Sequence, residues 1–204
     1  MQNRITLGLL FLSFLFIQIG NAQEKKFFNA NEVGVIVYGP LLPEIGYGIR
    51  TVNGYVFKQR LHVGIGVAYE KYVLDEDDNL KALPLFLHTK YMLYPERKAS
   101  LYGALDAGYG FAFVNKKIKD ENQQMSFKGG FMYSPQIGLR ILSKNRKSNW
   151  TIALGYKYQQ LQKDHYYNIT LLEDVGSNPH KDYDLLETKK YDLHRFSVML
   201  GFGF

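Results

Sequence analysis

The sequence predicts an all-β chain that closes as an eight-stranded antiparallel transmembrane β-barrel, and three observations carry that expectation. Large apolar side chains alternate with small or polar ones through most of the chain beyond residue 30, the period of a strand with one oily face and one wet face. No stretch after Ala22 approaches the ~18 consecutive apolar residues of a spanning helix, so a membrane would have to be crossed by strands. Aromatic residues make up 15% of the chain, with 16 Tyr and 14 Phe, and these favour sheets and membrane–water interfaces.

The start of the chain reads as an export signal. Met1 to Ala22 has a basic beginning at Arg4, an apolar run from Leu7 to Ile17, and small residues at Gly20 and Ala22 for signal cleavage. The expected division is a signal over 1–22 and a barrel domain over 23–204. The full chain carries a formal charge of +6, and losing Arg4 leaves a mildly basic, unclustered balance that suggests no nucleic-acid partner. With no cysteine there is no disulfide framework, zinc ribbon, thiol nucleophile or lipidated Cys.

The eight expected strands follow in order. The first, Asn31 to Tyr38, sets Val33, Val35 and Val37 on one face. The second, Glu44 to Val56, sets Ile45, Tyr47 and Ile49 against Glu44, Gly46, Gly48 and Arg50. The third, Leu61 to Tyr72, sets Leu61, Val63, Ile65, Val67 and Tyr69 against His62, Gly64, Gly66, Ala68 and Glu70. The fourth, Leu80 to Tyr94, sets Leu83, Leu85, Leu87 and Tyr91 against Phe86, His88, Lys90 and Met92. The fifth, Ser100 to Val114, sets Leu101, Leu105, Tyr109, Phe111 and Phe113 against Ala104, Asp106, Gly108, Gly110 and Ala112. The sixth, Phe127 to Leu142, sets Phe131, Tyr133, Ile137, Leu139 and Ile141 against Ser134, Gln136, Gly138 and Arg140. The seventh, Trp150 to Leu161, sets Trp150, Ile152, Leu154, Tyr156 and Tyr158 against Ala153, Gly155, Lys157 and Gln159. The eighth is the terminal run from His194, which ends on Phe202, Gly203 and Phe204.

The connectors after strands two, four and six are short, and those after three, five and seven are longer, with Gln162 to Glu187 the longest. Short turns on one side and long loops on the other are what an outer-membrane barrel shows. Asn53-Gly54 is a type I′ hairpin signal, but a turn at Phe57 to Arg60 pairs the second and third strands at matching length. In this topology the outward rings form two belts: Tyr91, Trp150, Phe202 and Phe204 at the turn end, and Tyr47, Tyr69, Phe113, Phe131, Tyr133 and Tyr158 at the loop end. Inward go Gly and Ala together with Glu44, Arg50, Glu70, Lys90, Asp106, Arg140, Lys157 and Arg195, a mixed-charge set that suits a narrow lumen where ions must be paired.

On these residues the chain resembles the small eight-stranded outer-membrane β-barrel proteins typical of Bacteroidota, with an architecture similar to OmpX and to the barrel domain of OmpA. The resemblance rests on the signal, the eight alternating strands, the segments 51–57 and 105–111, and the final Gly201-Phe202-Gly203-Phe204. It covers Asn31 to Phe204. It implies an integral protein of the bacterial outer membrane whose aromatic end, Phe202 and Phe204, is read by the barrel assembly machinery. It implies no reaction.

The remaining motifs are weighed on their chemistry. The lumenal ions read first as a salt-bridge network filling a closed barrel, since ~8 strands leave room for little beyond side chains; a polar conduit, or a receptor for a hydrophobic or small ligand, is the alternative. A lipid A modifying enzyme would need a nucleophile and an oriented His at the outer rim facing lipid. His62, His88, His194 and Ser134 offer no such set, so no enzyme is expected. His165, Asp174, His180, Asp182 and Asp184 match no ligand spacing, and the acidic run Asp75 to Asn79 lacks the glycine and distal glutamate of a calcium loop, so no metal or cofactor is expected. Lys116, Lys117, Lys119, Lys128, Lys163, Lys189 and Lys190 gather at the loop end, where they suit lipopolysaccharide phosphates as well as plain loop solubility. The tyrosine-rich segment 162–187 suits an extracellular partner.

Overall fold

Strands with one apolar face need neighbours for every backbone group, and here the neighbours run full circle. The computed structural model describes residues 27–37, 45–73, 79–114, 123–170 and 182–204; the expected signal over 1–22 and Glu44 lie outside them. The strands are β1 (Phe27–Val37), β2 (Ile45–Phe57), β3 (Leu61–Val73), β4 (Asn79–Met92), β5 (Ala99–Val114), β6 (Gln123–Lys128), β7 (Gly130–Leu142), β8 (Asn149–Thr170) and β9 (Asp182–Gly203). Every pairing is antiparallel, and β9 closes on β1 from Ala30↔Gly203 to Val37↔Phe196. The result is an all-β, closed barrel of eight walls, because β6 and β7 form one wall broken at Gly129.

Following paired residues from Val56 through His62, Lys90, Ala104, Gln136, Gly155, Ser197 and Ile36 returns to β2 at Gly46, ten residues from the start. A stagger of that size on eight strands corresponds to a strand tilt of ~40° and a lumen just wide enough for side chains. Where large side chains cross it, small ones must face them. A Cβ at Gly66 would overlap the Phe86 ring, and one at Gly138 the Tyr102 ring.

Four boundaries differ from the sequence expectation. The first strand starts at Phe27 rather than Asn31, because Asn29 and Asn31 on the outward face interrupt the alternation there. Segment 162–187 is largely strand: β8 and β9 stay paired as far as Thr170↔Asp182, and β6 adds a third strand against 162–167 of β8. The sequence of that segment mixes charged, polar and aromatic residues with no sustained alternation, so no apolar period marks it. The β6–β7 wall carries a bulge: four steps from Lys128 to Met132 face three from Gln162 to Gln159, which inverts the side-chain faces above Gly129. Finally, pairing skips Pro84 between β3 and β4 and Pro135 between β7 and β8, since a proline ring has no N–H to give.

The turn between β2 and β3 sits at Phe57–Arg60, closed by an Arg60 N–H to Phe57 carbonyl bond of 3.1 Å, and Asn53-Gly54 is mid-strand. Lys58 and Gln59 have φ of 48° and 60°, the two positive values that a type I′ turn requires. Since neither residue is glycine, Gln59→Gly is expected to stabilise the barrel by about 0.5–1 kcal/mol, the left-handed strain relieved less the added chain entropy. Urea unfolding in detergent micelles measures it; an unchanged midpoint would show that the turn is unstrained.

Candidate functional site

Inward register positions bring the lumenal side chains together in layers. At mid-barrel, Arg50 on β2 reaches across to three other walls. Its Nε donates to Glu32 Oε2 at 2.7 Å, its Nη1 to Asp106 Oδ2 at 2.5 Å and its Nη2 to Gln136 Oε1 at 2.8 Å. Gln136 Nε2 in turn donates to Asp106 Oδ2 at 2.6 Å, and His88 Nδ1 lies 2.6 Å from Asp106 Oδ1. One guanidinium thus faces two carboxylates and an amide, and Asp106 is held from three sides. His88 and Asp106 are each only 1% exposed. So dry a cluster is tolerable only because its opposite charges are bonded to one another.

Next to it, Lys157 is ion-paired with Glu70, which also accepts the Tyr72 hydroxyl. Lys90 lies over the Tyr102 ring, 4.8 Å from its centroid. Arg195 is buried on β9 in register with Lys157. Arg140 stands apart from this group, half-buried, with Nη2 donating to the Pro95 carbonyl at 2.7 Å in the β4–β5 turn. Of the expected lumenal set, the structure therefore groups Arg50 with Asp106 and Lys157 with Glu70, and sets Arg140 at a turn.

The sequence reading passed over Glu32 and Tyr72. Glu32 alternates with Val33 and Val35 in β1, which was the available signal. The reading also missed an apolar lid: Ile36, Tyr72, Ala82, Leu161 and Leu193 pack together inside the loop end of the barrel, with Phe127 and Tyr191 against them. Phe127 reaches the inside because the bulge at Gly129 inverts its face. Between lid and ions remains a cavity of about 20 Å³, lined by Arg50, Glu70, Asp106, Ser134, Gln136 and Lys157 among others. That is space for water and little else.

The outer wall is the reverse. Val33, Ile49, Ile65, Leu85, Leu87, Leu105, Ile137, Ile152, Leu154 and Leu200 are all exposed. At the turn end stand Tyr91, Trp150, Phe202 and Phe204 as expected, joined by Phe27, Tyr55 and Phe57; Trp150 and Phe202 meet edge-on at 5.2 Å. At the loop end, Tyr133, Tyr156, Tyr158 and His194 cluster on the outward face, where Tyr158 donates to Asp192 Oδ1 at 2.7 Å. The side chain of Phe113 is outside the described residues, as are those of Lys116, Lys117, Lys119, Lys163, His165, Asp174, His180, Asp182, Asp184 and the run 75–79. Aliphatics between two ring belts are a surface for hydrocarbon. Above the loop-end belt, Lys128 Nζ pairs with Asp164 Oδ2 at 2.8 Å. That bond, with others from Gln162 and Thr188, holds the Asp164 carboxyl down to about 2.

No family model and no curated protein matches the sequence. Among solved structures the chain is similar to the outer membrane protein OprG from Pseudomonas aeruginosa, at 15% identity and a TM-score of 0.55 over 87% of this chain and 93% of that one. It is also similar to Neisserial surface protein A, at 14% identity and a TM-score of 0.53 over 87% of this chain and 94% of that one. Likeness at such identity is a statement about fold. With the apolar wall, that fold puts the chain in the bacterial outer membrane.

If pairing holds the lumen together, Arg50→Met should destabilise the barrel by about 3–5 kcal/mol, because Glu32 and Asp106 are left buried and uncompensated. Adding Glu32→Gln and Asp106→Asn should recover most of it. Denaturant unfolding in lipid vesicles decides; a harmless Arg50→Met would mean that water reaches the cluster.

Proposed function

We propose that this integral outer-membrane barrel has a structural and surface-interaction role, with a lumen closed to solutes and no catalytic activity. The observation that carries the reading is the plugged interior: a bonded layer around Arg50 lies beneath an apolar lid, with about 20 Å³ between. A conduit needs a continuous wet path, and a small-molecule receptor needs a larger cavity. On the catalytic side, Ser134 is within 3.4 Å of the Gln136 amide, a contact that does nothing to activate a hydroxyl. What remains for function is the outside. The β8–β9 ribbon carries β6 beyond the membrane band, and the exposed Lys128, Lys189 and Lys190 on it suit lipopolysaccharide phosphates or an extracellular partner.

Planar-bilayer recording of the refolded protein tests the closed lumen. No conductance steps are expected, and sustained steps would replace this reading with a conduit. Recovery of the expressed protein in a soluble fraction would remove the membrane assignment itself.

The family resemblance also supports recognition of the last strand by the assembly machinery. Phe202 and Phe204 both face outward on that strand, and losing two half-exposed rings costs a closed barrel only a few kcal/mol at most, on the order of 1–2 each. The variant Phe202→Ala/Phe204→Ala is therefore expected to refold in detergent yet to accumulate unfolded in cells, read by heat-modifiable gel mobility. Equal folding of variant and parent in cells would reduce both rings to belt residues.

A further inference from the structure

The fold gathers on one rim charges that the sequence keeps apart. Three turns join the strands at the turn end: 58–60 between β2 and β3, 93–98 between β4 and β5, and 143–148 between β7 and β8. Together they carry Lys58, Arg60, Arg97, Lys98, Lys144, Arg146 and Lys147 against one acid, Glu96. All of these cations are exposed. The connecting segments at the other end carry acids as well, with Asp75 to Asp78 in one and Asp120 and Glu121 in another.

The three turns are also neighbours. The Arg60 carbonyl accepts the Met92 N–H at 2.8 Å, and the Lys98 carbonyl accepts the Leu142 N–H at 2.7 Å, so the first turn is stitched to the second strand pair and the second turn to the third. From inside the bore, Arg140 holds the Pro95 carbonyl of the middle turn. Crowded cations repel one another until something negative lies among them, and their place decides what that is. Each turn borders the turn-end ring belt: Lys58 follows Phe57, the Arg97 guanidinium lies 4.4 Å from the Tyr94 ring centroid, and Lys147 is close in sequence to Trp150. Phe57, Leu93, Tyr94 and Trp150 are all exposed on the outer wall or its rim. Three residues of backbone reach about 10 Å, and the headgroup layer outside the hydrocarbon is about 5–8 Å deep. The cations therefore stand among headgroups, and a polymer set off from the membrane is a poorer match.

We propose that the turn end binds acidic phospholipids of the periplasmic leaflet, with their phosphodiester groups between neighbouring turns and their acyl chains against the belt. Lysine and arginine form charge-assisted bonds to phosphate oxygens, and short turns face the periplasm in barrels of this kind. The inference rests on the transmembrane reading and adds to it a lipid class and a leaflet. It is separate from Lys128 and Lys190, which stand at the opposite end of the barrel.

Trp150 is the single tryptophan of the chain and stands beside the third turn, so its fluorescence reports that rim. The protein is refolded in vesicles of phosphatidylcholine and phosphatidylglycerol, with one or the other brominated on its acyl chains. The phosphatidylglycerol is expected to associate near Trp150 about fivefold more tightly, the factor for about one cation at a charged headgroup. In about 1 M salt, where the screening length is about 3 Å, the two lipids should quench equally. The same is expected of the variant Lys98→Gln/Lys144→Gln/Lys147→Gln, whereas Lys128→Gln/Lys190→Gln should keep the preference. Equal quenching by both lipids in the parent, a preference indifferent to salt or to the three glutamines, or one lost with the loop-end pair would overturn the proposal. Sedimentation of the protein with purified cell-wall sacculi, together with equal quenching, would assign the rim to that polymer instead. The salt series needs no substitution, so a folding defect in the variant does not prevent a decision. Heat-modifiable gel mobility shows separately whether the chain has entered the bilayer as a barrel.

Discussion

A backbone that faces hydrocarbon has no water to turn to, so each N–H and C=O in the membrane band must find its partner within the sheet. Closure of β9 on β1 meets that demand, and it sets the geometry of everything else. A closed sheet must be staggered, a staggered eight-strand sheet has a fixed narrow bore, and a narrow bore must be filled. The glycines at 66 and 138, the large rings opposite them, and the small size of the cavity beside Arg50 follow from the stagger. Pro84 and Pro135 are the places where the demand is not fully met from within the ladder.

Filling the bore with ions follows from the same inversion of inside and outside. Most of the large apolar side chains of the described strands line the outer wall, and the alternation of a strand leaves ions and amides for the lumen, with a minority of apolar groups such as Phe86 and Met132. Charged groups there are stable only in company, which is why Arg50 touches three walls and Asp106 accepts from three donors. The bonds of Arg50 to Asp106 and Gln136, and the Lys157–Glu70 pair, cross the bore and tie strands that are not neighbours in the sheet. The lid of Ile36, Tyr72, Leu161 and Leu193 does the same with dispersion and burial. It closes the loop end of the bore.

Much of this was legible in the sequence, for one reason: period-two alternation is strong wherever one face meets lipid. It placed Arg50, Glu70, Lys90, Asp106, Lys157 and Arg195 on inward positions by parity alone. What it could not supply was partnership, since Arg50 meets Asp106 from a strand three positions away round the sheet and parity holds no information about that distance. Arg140 shows the limit, with the right parity and the wrong neighbourhood. The upper ribbon of β8 and β9 was read as loop because the apolar alternation fades there in the sequence. Asn29 and Asn31 shifted the start of the first strand for the opposite reason, being polar residues where the pattern expects oil.

The bulge at Gly129 divides the sixth wall into two reading frames. Below it, a single residue gained or lost would exchange the lipid-facing set of β7 for its lumenal set, so only changes in steps of two preserve the wall. Above it the frame is already shifted: Phe127 points in against the lid and Lys128 points out. A change of length beyond the bulge would shift only the six residues of β6 against β8 and leave the lower frame as it is. The glycine marks the border at which the two frames are uncoupled.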